Sequence, residues 1–288
     1  MMYLWGNFPE NMIKLRFAEV GSGFANDGFT HEKTVPFVIA AQAITGEYEV
    51  ASPMGKITAS QNEVFLSPSN VPLKITHRSE PHKPTMSFQF IHLEFMLFDT
   101  IDIFSVFTLP LKADKDTGQQ IGAIIAGLIH LKDISTKKHA INNLLQRNEL
   151  TSRLLNILLT ISRPPDDELI NYQIYQSVVP VFTYIKDHLA TSITMDDLIP
   201  LMPMSRSAFF HFFKKHFRKT PMDYLKSIRL NEAYRLLCYS DRSVSKVAEE
   251  TGFSNTYHFS REFRKYFHKT PSQARKAHQE LMDMRDLT

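Results

Sequence analysis

Two kinds of hydrophobic periodicity divide the chain. From about Phe8 to Phe107, short runs such as Phe37-Val38-Ile39, Glu47-Tyr48-Glu49-Val50, Glu63-Val64-Phe65-Leu66, Leu73-Lys74-Ile75-Thr76 and Phe88-Gln89-Phe90-Ile91 alternate with turn formers. Gly21-Ser22-Gly23, Gly46, Ser52-Pro53, Ser67-Pro68-Ser69-Asn70 and the stretch from Pro81 to Pro84 punctuate them at roughly ten-residue spacing, which predicts an all-β sandwich or barrel. From about Thr117 to Ser162 the period lengthens. Ile121, Ile125 and Leu128, then Ile141, Leu144, Leu145, Leu155, Leu158 and Leu159, recur every three or four residues, the spacing of amphipathic helices. Arg163-Pro164-Pro165-Asp166-Asp167 then breaks the pattern, because consecutive prolines block helix continuation, and a linker is expected there.

Beyond the linker the chain repeats itself. Phe209, Phe213, Phe217, Lys219, Thr220 and Pro221 return fifty residues later as Phe259, Phe263, Phe267, Lys269, Thr270 and Pro271, and Lys215 returns as Lys265. Each copy has the layout of a helix-turn-helix. Thr194 with Asp197 makes a capping-box-like start, and Ser205 caps a second helix through Phe217. In the later copy Ser243 caps a helix carrying Val247 and Ala248, Gly252-Phe253 makes the turn, and Ser254 or Asn255 caps a helix through Phe267. The phenylalanines, four apart, form one buried stripe per copy. Between the copies Thr220 and Pro221 open a helix to about Cys238 with Leu225, Ile228, Ala233, Leu236 and Leu237 on its apolar face. Pro200, about six residues into the first helix of the first copy, removes a backbone hydrogen bond and is expected to kink or shorten it.

Composition narrows the classes. A chain of 288 residues has room for about two domains, and 43% hydrophobic with 22 phenylalanines describes a packed globular protein. The single cysteine, Cys238, allows no intrachain disulfide or multi-thiolate metal cage. With no basic n-region followed by an apolar h-region in the first twenty residues, and no apolar run long enough to span a bilayer, a cytoplasmic protein is expected. Charge is uneven. Residues 171 to 288 hold 18 Lys and Arg against 12 Asp and Glu, whereas the first 170 are net acidic. That asymmetry points to a polyanion-binding module joined to something else.

The basic residues fall opposite the phenylalanine stripes. Arg206, Lys214, Lys215, Arg218 and Lys219 come with no acid, and Arg261, Arg264, Lys265 and Lys269 come with Glu262 alone. A charged helix face can simply be solvated, but its duplication in register favours double-stranded DNA, whose major groove takes a helix with base-reading side chains near its start and phosphate-neutralising ones further along.

These motifs resemble the AraC/XylS family of bacterial transcription regulators. Val247-Ala248, Gly252-Phe253-Ser254, Phe259-Ser260-Arg261, Phe263-Arg264-Lys265, Thr270-Pro271 and Arg275 follow the family's second helix-turn-helix; Pro221, Tyr224-Leu225 and Arg229-Leu230 match its linker helix. The resemblance covers roughly residues 175 to 277. It departs where Lys219 and Lys269 stand in place of a usual glycine. By motif position it implies base contacts from Arg206, Ser207, Phe210 and His211 in the first copy and from Asn255, Thr256, Tyr257, Ser260 and Arg261 in the second. Phe210 can equally pack in the core. Lys214, Lys215, Arg264 and Lys265 are expected on phosphate, and Arg261 is the residue suited to a bidentate guanine contact.

The resemblance further implies an N-terminal cupin-like domain that binds a small effector, a sugar being one class in the family, followed by dimerisation helices. Tyr48, Phe88, Phe90, His92 and Glu94 are the expected effector-facing residues, the last four sharing one strand face. The opposite face, Gln89, Ile91, Leu93 and Phe95, is the alternative. Leu144, Leu145, Leu155, Leu158 and Leu159 form a possible dimer seam. His77, His82 and His92 lack the H-x-H and following Glu of metal-binding cupins, and no G-x-S-x-G, P-loop or dinucleotide fingerprint is present, so neither a cofactor, a metal nor a catalytic residue is expected. The whole reads as α+β: a cupin-like β-sandwich at 1–110, a helical dimerisation segment at 111–163, a linker at 164–173 and an all-α DNA-binding domain with two helix-turn-helix units at 174–280. Expected partners are DNA, RNA polymerase, a small-molecule effector and a second copy of the chain, with no membrane. Two rivals stay open, a ligand-independent regulator and a cupin-type metalloenzyme fused to a DNA-binding domain.

Overall fold

A computed structural model describes residues 12–133, 140–164 and 172–286. Contacts group the chain into two compact units, one ending at Pro164 and the other running from Pro165 to Asp286. Of the expected linker at 164–173, residues 165–171 lie outside the described ones.

The first unit is a sandwich of two antiparallel sheets. Strands β1 (Ile13–Asn26), β8 (Thr85–Leu97), β3 (Val38–Ala43), β6 (Val64–Ser67) and β10 (Lys112–Ala113) lie side by side in that order, with β9 (Ile101–Asp102) also paired to β8. The second sheet runs β2 (Thr30–Lys33), β7 (Leu73–Arg78), β4 (Glu47–Ser52), β5 (Gly55–Ala59). The turn expected at Gly21-Ser22-Gly23 is absent. Those residues continue β1, with Gly21 opposite Phe90 and Gly23 opposite Phe88. The ladder satisfies their backbone, and the missing side chain at Gly23 leaves room for the Phe88 ring, which a Cβ there would meet at 3.2 Å.

The two faces of β8 serve different neighbours, because side chains alternate along a strand. Tyr48 meets Phe65 at 4.9 Å and His77 meets Phe88 at 5.4 Å between ring centroids, so Phe88 and its alternate neighbours point between the sheets. The Gln89 face lies under helix α1 (Lys115–Asp133): Gln89 donates to Gly122 O at 3.0 Å and to Gln42 Oε1 at 2.8 Å, and Gln42 donates to Gly118 O at 2.8 Å. Ile121, Ile124, Ile125 and Leu128 are buried beneath that helix. Helix α2 (Ala140–Ile161) packs on α1, and after it Arg163 and Thr108 exchange backbone hydrogen bonds of 3.0 Å, tying the helical end back to the sandwich. Within the protomer Leu155 and Leu158 are buried and Leu159 is half-buried, so of the expected dimer seam Leu144 and Leu145 alone are exposed, beside Ile141 at 75% exposure.

The second unit is helical: α3 (Tyr172–Asp187), α4 (Met195–Leu198), α5 (Arg206–Phe217), α6 (Pro221–Tyr239), α7 (Val244–Glu250), α8 (Thr256–Phe267) and α9 (Pro271–Asp286). Among the described residues no helix is long and apolar enough to cross a membrane.

Candidate nucleic-acid interface

Each copy of the repeat folds as expected from its punctuation. Ser205 accepts from Ala208 N at 3.3 Å to start α5, and Asn255 accepts from His258 N at 2.7 Å to start α8, which settles which of Ser254 and Asn255 is the cap. Phe209, Phe213 and Phe217 are buried with Phe182 and Tyr224, ring centroids 4.9 to 6.0 Å apart. Phe259, Phe263 and Phe267 are buried with Leu230, Ala233, Leu237, Val247 and Ala248, and Tyr234 packs against them. Burying three aromatics per helix fixes each helix's rotation and so directs its opposite face outward.

The first helices of the two units differ. The carboxylate of Asp197 takes both the backbone N–H and the hydroxyl of Thr194 at 2.7 Å, so α4 begins as expected, yet it lasts one turn. Pro200 then stands in the 3-10 turn Ile199–Leu201, because a proline cannot supply the next helical N–H. In the second unit α7 runs on, and Gly252 turns the chain at φ 77° in a space where a Cβ would lie 2.4 Å from Leu189 O and 2.7 Å from Arg229 Cζ.

The left-handed residues that end α5 and α8 are Arg218 (φ 56°) and His268 (φ 58°), one position ahead of Lys219 and Lys269. The non-glycine departure thus falls on Arg218 and His268, which adopt the conformation that glycine takes without strain.

Two arginines hold the units to their surroundings. Arg229 on α6 donates to Leu189 O and Thr191 O in the segment before α4, and Arg275 on α9 donates to Leu237 O in the last turns of α6 and to Arg242 O in the segment before α7. Burial lowers the Arg229 pKa from its ordinary value, but an arginine starts far enough up to stay charged. Their matching contacts to backbone carbonyls join residues too distant in sequence for any local pattern to reveal.

Most of the expected base-contacting residues lie on the exposed starts of α5 and α8. Ser207, His211, Asn255, Tyr257 and Arg261 are exposed, Tyr257 to 80%, while Phe210, Thr256 and Ser260 are half-buried. Phe210 therefore falls between its two readings. Some are already engaged: Arg206 pairs with Asp196 at 3.2 Å, the Asn255 carbonyl caps its own helix, and Arg261 reaches Glu262 at 3.6 Å. Lys214, Lys215, Arg264 and Lys265 are all exposed. Helix α6, at ~1.5 Å per residue, places a spacer of about 28 Å between the units, close to the ~34 Å between successive major grooves on one DNA face.

In the sandwich, Tyr48, His92 and Glu94 are buried, and Phe88 and Phe90 half-buried. His92 joins a polar chain invisible to sequence: Nε2 lies 2.8 Å from Lys33 Nζ and Nδ1 lies 2.9 Å from Glu19 Oε2. Glu94 faces Arg16 at 3.9 Å, and Lys33 sits 5.9 Å from the Phe90 ring centroid. Burial lowers the His77 pKa and raises that of Tyr48, so both are neutral near pH 7. Among the described residues no group of three or more His, Cys, Asp or Glu is placed to hold a metal ion.

Comparison with known proteins agrees with this architecture. Residues 201–277 match a family described as a helix-turn-helix domain. The chain is 28% identical over 160 residues to the raffinose operon transcriptional regulatory protein RafR of Pediococcus pentosaceus, covering 55% of this chain and 57% of RafR. It is 27% identical over 169 residues to the HTH-type transcriptional activator RhaS of Enterobacter sp. strain 638, covering 57% and 56%. The chain thus spans little more than half the length of these relatives. The fold of unsaturated fatty acid-bound ToxT from Vibrio cholerae strain SCE256 is similar over 88% of this chain and 93% of that one, with a TM-score of 0.54 and 10% identity. With two tandem units, the matching helix-turn-helix domain and transcription regulators among its relatives, the C-terminal domain is similar to those of the AraC/XylS family of transcription regulators.

Proposed function

We propose that this chain is a sequence-specific regulator of transcription that binds double-stranded DNA through α5 and α8. The observation that carries the reading is the repeated construction of those helices, each capped at its start, anchored by three buried phenylalanines and basic on its outward face. Arg206, Ser207, Phe210 and His211 read bases from the first unit, and Asn255, Thr256, Tyr257, Ser260 and Arg261 from the second. Lys214, Lys215, Arg264 and Lys265 neutralise phosphate. Asn255 turns its amide N–H groups to a base while its carbonyl oxygen caps α8.

A small molecule bound between the sheets, against Tyr48, Phe88, Phe90, His92 and Glu94, controls the regulator. RafR is named for a raffinose operon and ToxT is seen with an unsaturated fatty acid, so sugars and fatty acids are the effector classes to test. RhaS is named an activator, and activation through RNA polymerase is the mode adopted here. Ile141, Leu144 and Leu145 on α2 supply the homodimer seam, and pairing two protomers multiplies affinity through effective concentration. One observation favours a ligand-independent regulator instead: the polar chain Lys33, His92, Glu19 is internally partnered, as in a core that needs no guest. Titration calorimetry with a sugar panel and an unsaturated fatty acid separates the readings, since the effector-controlled form gives a saturable heat and a changed DNA affinity.

The DNA-binding proposal is tested by fluorescence anisotropy of the full chain on duplexes from upstream of its own and neighbouring genes, at ~150 mM salt with excess unrelated competitor. Competitor-resistant binding is expected. Binding that competitor abolishes would mean that the basic faces supply electrostatic affinity without sequence reading.

A further inference from the structure

A cleft of about 720 Å³ opens between the two helix-turn-helix units, walled by the end of α5, the start of α6 and one side of α8. Five basic side chains line it against two acidic ones. Lys226 engages both acids, lying 3.8 Å from Asp223 and 3.4 Å from Glu262. Asp223 is also held by the Thr220 hydroxyl at 2.7 Å. Burial pushes the Glu262 pKa up, but Lys226, His258 and Arg261 outweigh it and hold the carboxyl below its ordinary range. Glu262 therefore stays a carboxylate at neutral pH, and its contact with Lys226 joins α6 to α8 across the floor.

The four other cations, Lys214, Arg218, Lys219 and Lys265, stand on the walls. On α5, Ser207, His211, Lys214 and Arg218 recur every three or four residues and are all exposed, so the stripe expected to read bases runs directly into the cleft. Lys219 lies 5.8 Å from the Tyr266 ring centroid, which holds the segment after α5 against α8. Arg218 occupies a left-handed position that glycine fills without strain, so the turn alone gives no reason for an arginine there.

We propose that this cleft grips the sugar-phosphate backbone of the DNA strand passing from one major groove to the next, with Arg218 and Lys219 as phosphate contacts that set the register of both readers. The inference rests on the DNA-binding reading above. Charge complementarity selects the occupant: the cations are spread over separate elements around an open mouth and do not converge on one point, which suits an extended polyanion better than a single small anion.

The test compares salt dependence of duplex binding by the full-length chain, the variant Arg218→Gly with Lys219→Gln, and a control, Lys56→Gln, on the N-terminal unit. Arg218→Gly removes the guanidinium while relaxing the backbone, so folding is preserved, as checked by an unchanged or raised thermal midpoint. The double variant is expected to bind every duplex more weakly by a similar factor and to flatten the slope of log affinity against log salt by about 1.8, or ~0.9 per phosphate contact. The control keeps the wild-type slope. A normal wild-type slope that the double variant leaves unchanged overturns the cleft's role while leaving the DNA-binding reading intact. So does a thermal midpoint that millimolar inorganic phosphate raises in wild type but not in the variant, when the slopes are equal, since the cleft then takes a small anion. A wild-type chain with no duplex affinity overturns both.

Discussion

The two helix-turn-helix units share a fifty-residue register and a phenylalanine stripe, yet they reach the same form by unequal means. In the second unit a seven-residue α7, a glycine turn without room for a Cβ and a 2.7 Å cap converge on α8. The first offers a four-residue α4, a 3-10 turn through Pro200 and a 3.3 Å cap before α5. What they keep in common is the aromatic anchoring of the second helix. The difference teaches that the outward helix tolerates a shortened support as long as its own buried stripe is intact, because three buried aromatic rings outweigh one lost helical turn.

Substitutions in the two units should have unequal effects. The largest effect is expected from Gly252→Ala, which combines a left-handed backbone penalty with a Cβ placed against Leu189 O and Arg229. A loss of roughly 2 to 4 kcal/mol of stability is expected, and thermal unfolding that shows no change would remove the tight turn as the basis of the second unit's rigidity. Next, Arg261→Ala should relax preference at a single base pair by about 1 to 3 kcal/mol, and His211→Ala should do less on the first unit's side. Binding measured against singly substituted duplexes checks both, and equal losses would erase the asymmetry of the readers. Replacing Lys214 with Lys215, or Arg264 with Lys265, by glutamine is expected to lower the salt slope by about two in either case, since phosphate contact needs only the outward face. A smaller effect is expected from Asn255→Ala, about 1 kcal/mol of stability. Ser205→Ala, which loses the longer cap, should cost less in the same denaturant titration. Smallest is Pro200→Ala, expected to stay within about 0.5 kcal/mol in stability. A large gain in affinity from it would show that the proline handicaps the first reader.

Much of this architecture was legible because its determinants are local. Caps at Ser205, Thr220 and Ser243, the proline start of α6, and the phenylalanine period are each written within a few residues. The sandwich was legible from its strand rhythm, with Gly21 to Gly23 misread because a glycine pair in a long strand serves cross-strand packing, which depends on Phe88 far along the chain. The left-handed turn positions were read one residue late, since Lys219 and Arg218 are equally unlike glycine and only φ separates them. What sequence could not reveal is long-range pairing: Lys226 with Glu262, Arg229 and Arg275 with backbone carbonyls, and His92 between Lys33 and Glu19. Such pairs carry no spacing rule, so they emerge only once the fold brings them together. Both faces of β8 mix apolar and polar side chains in the sequence, and it took α1 covering the Gln89 face to direct the His92 face between the sheets.

The most direct test of the central claim, that two readers on one chain recognise one DNA site, is selection of the full-length protein against a pool of random duplexes at ~150 mM salt. Enriched sequences are expected to show two distinct blocks of preference, their centres about one helical turn or 10 base pairs apart, the block lost in Arg261→Ala being the one read by α8. Enrichment of a single block, or of no sequence over the starting pool, would contradict it.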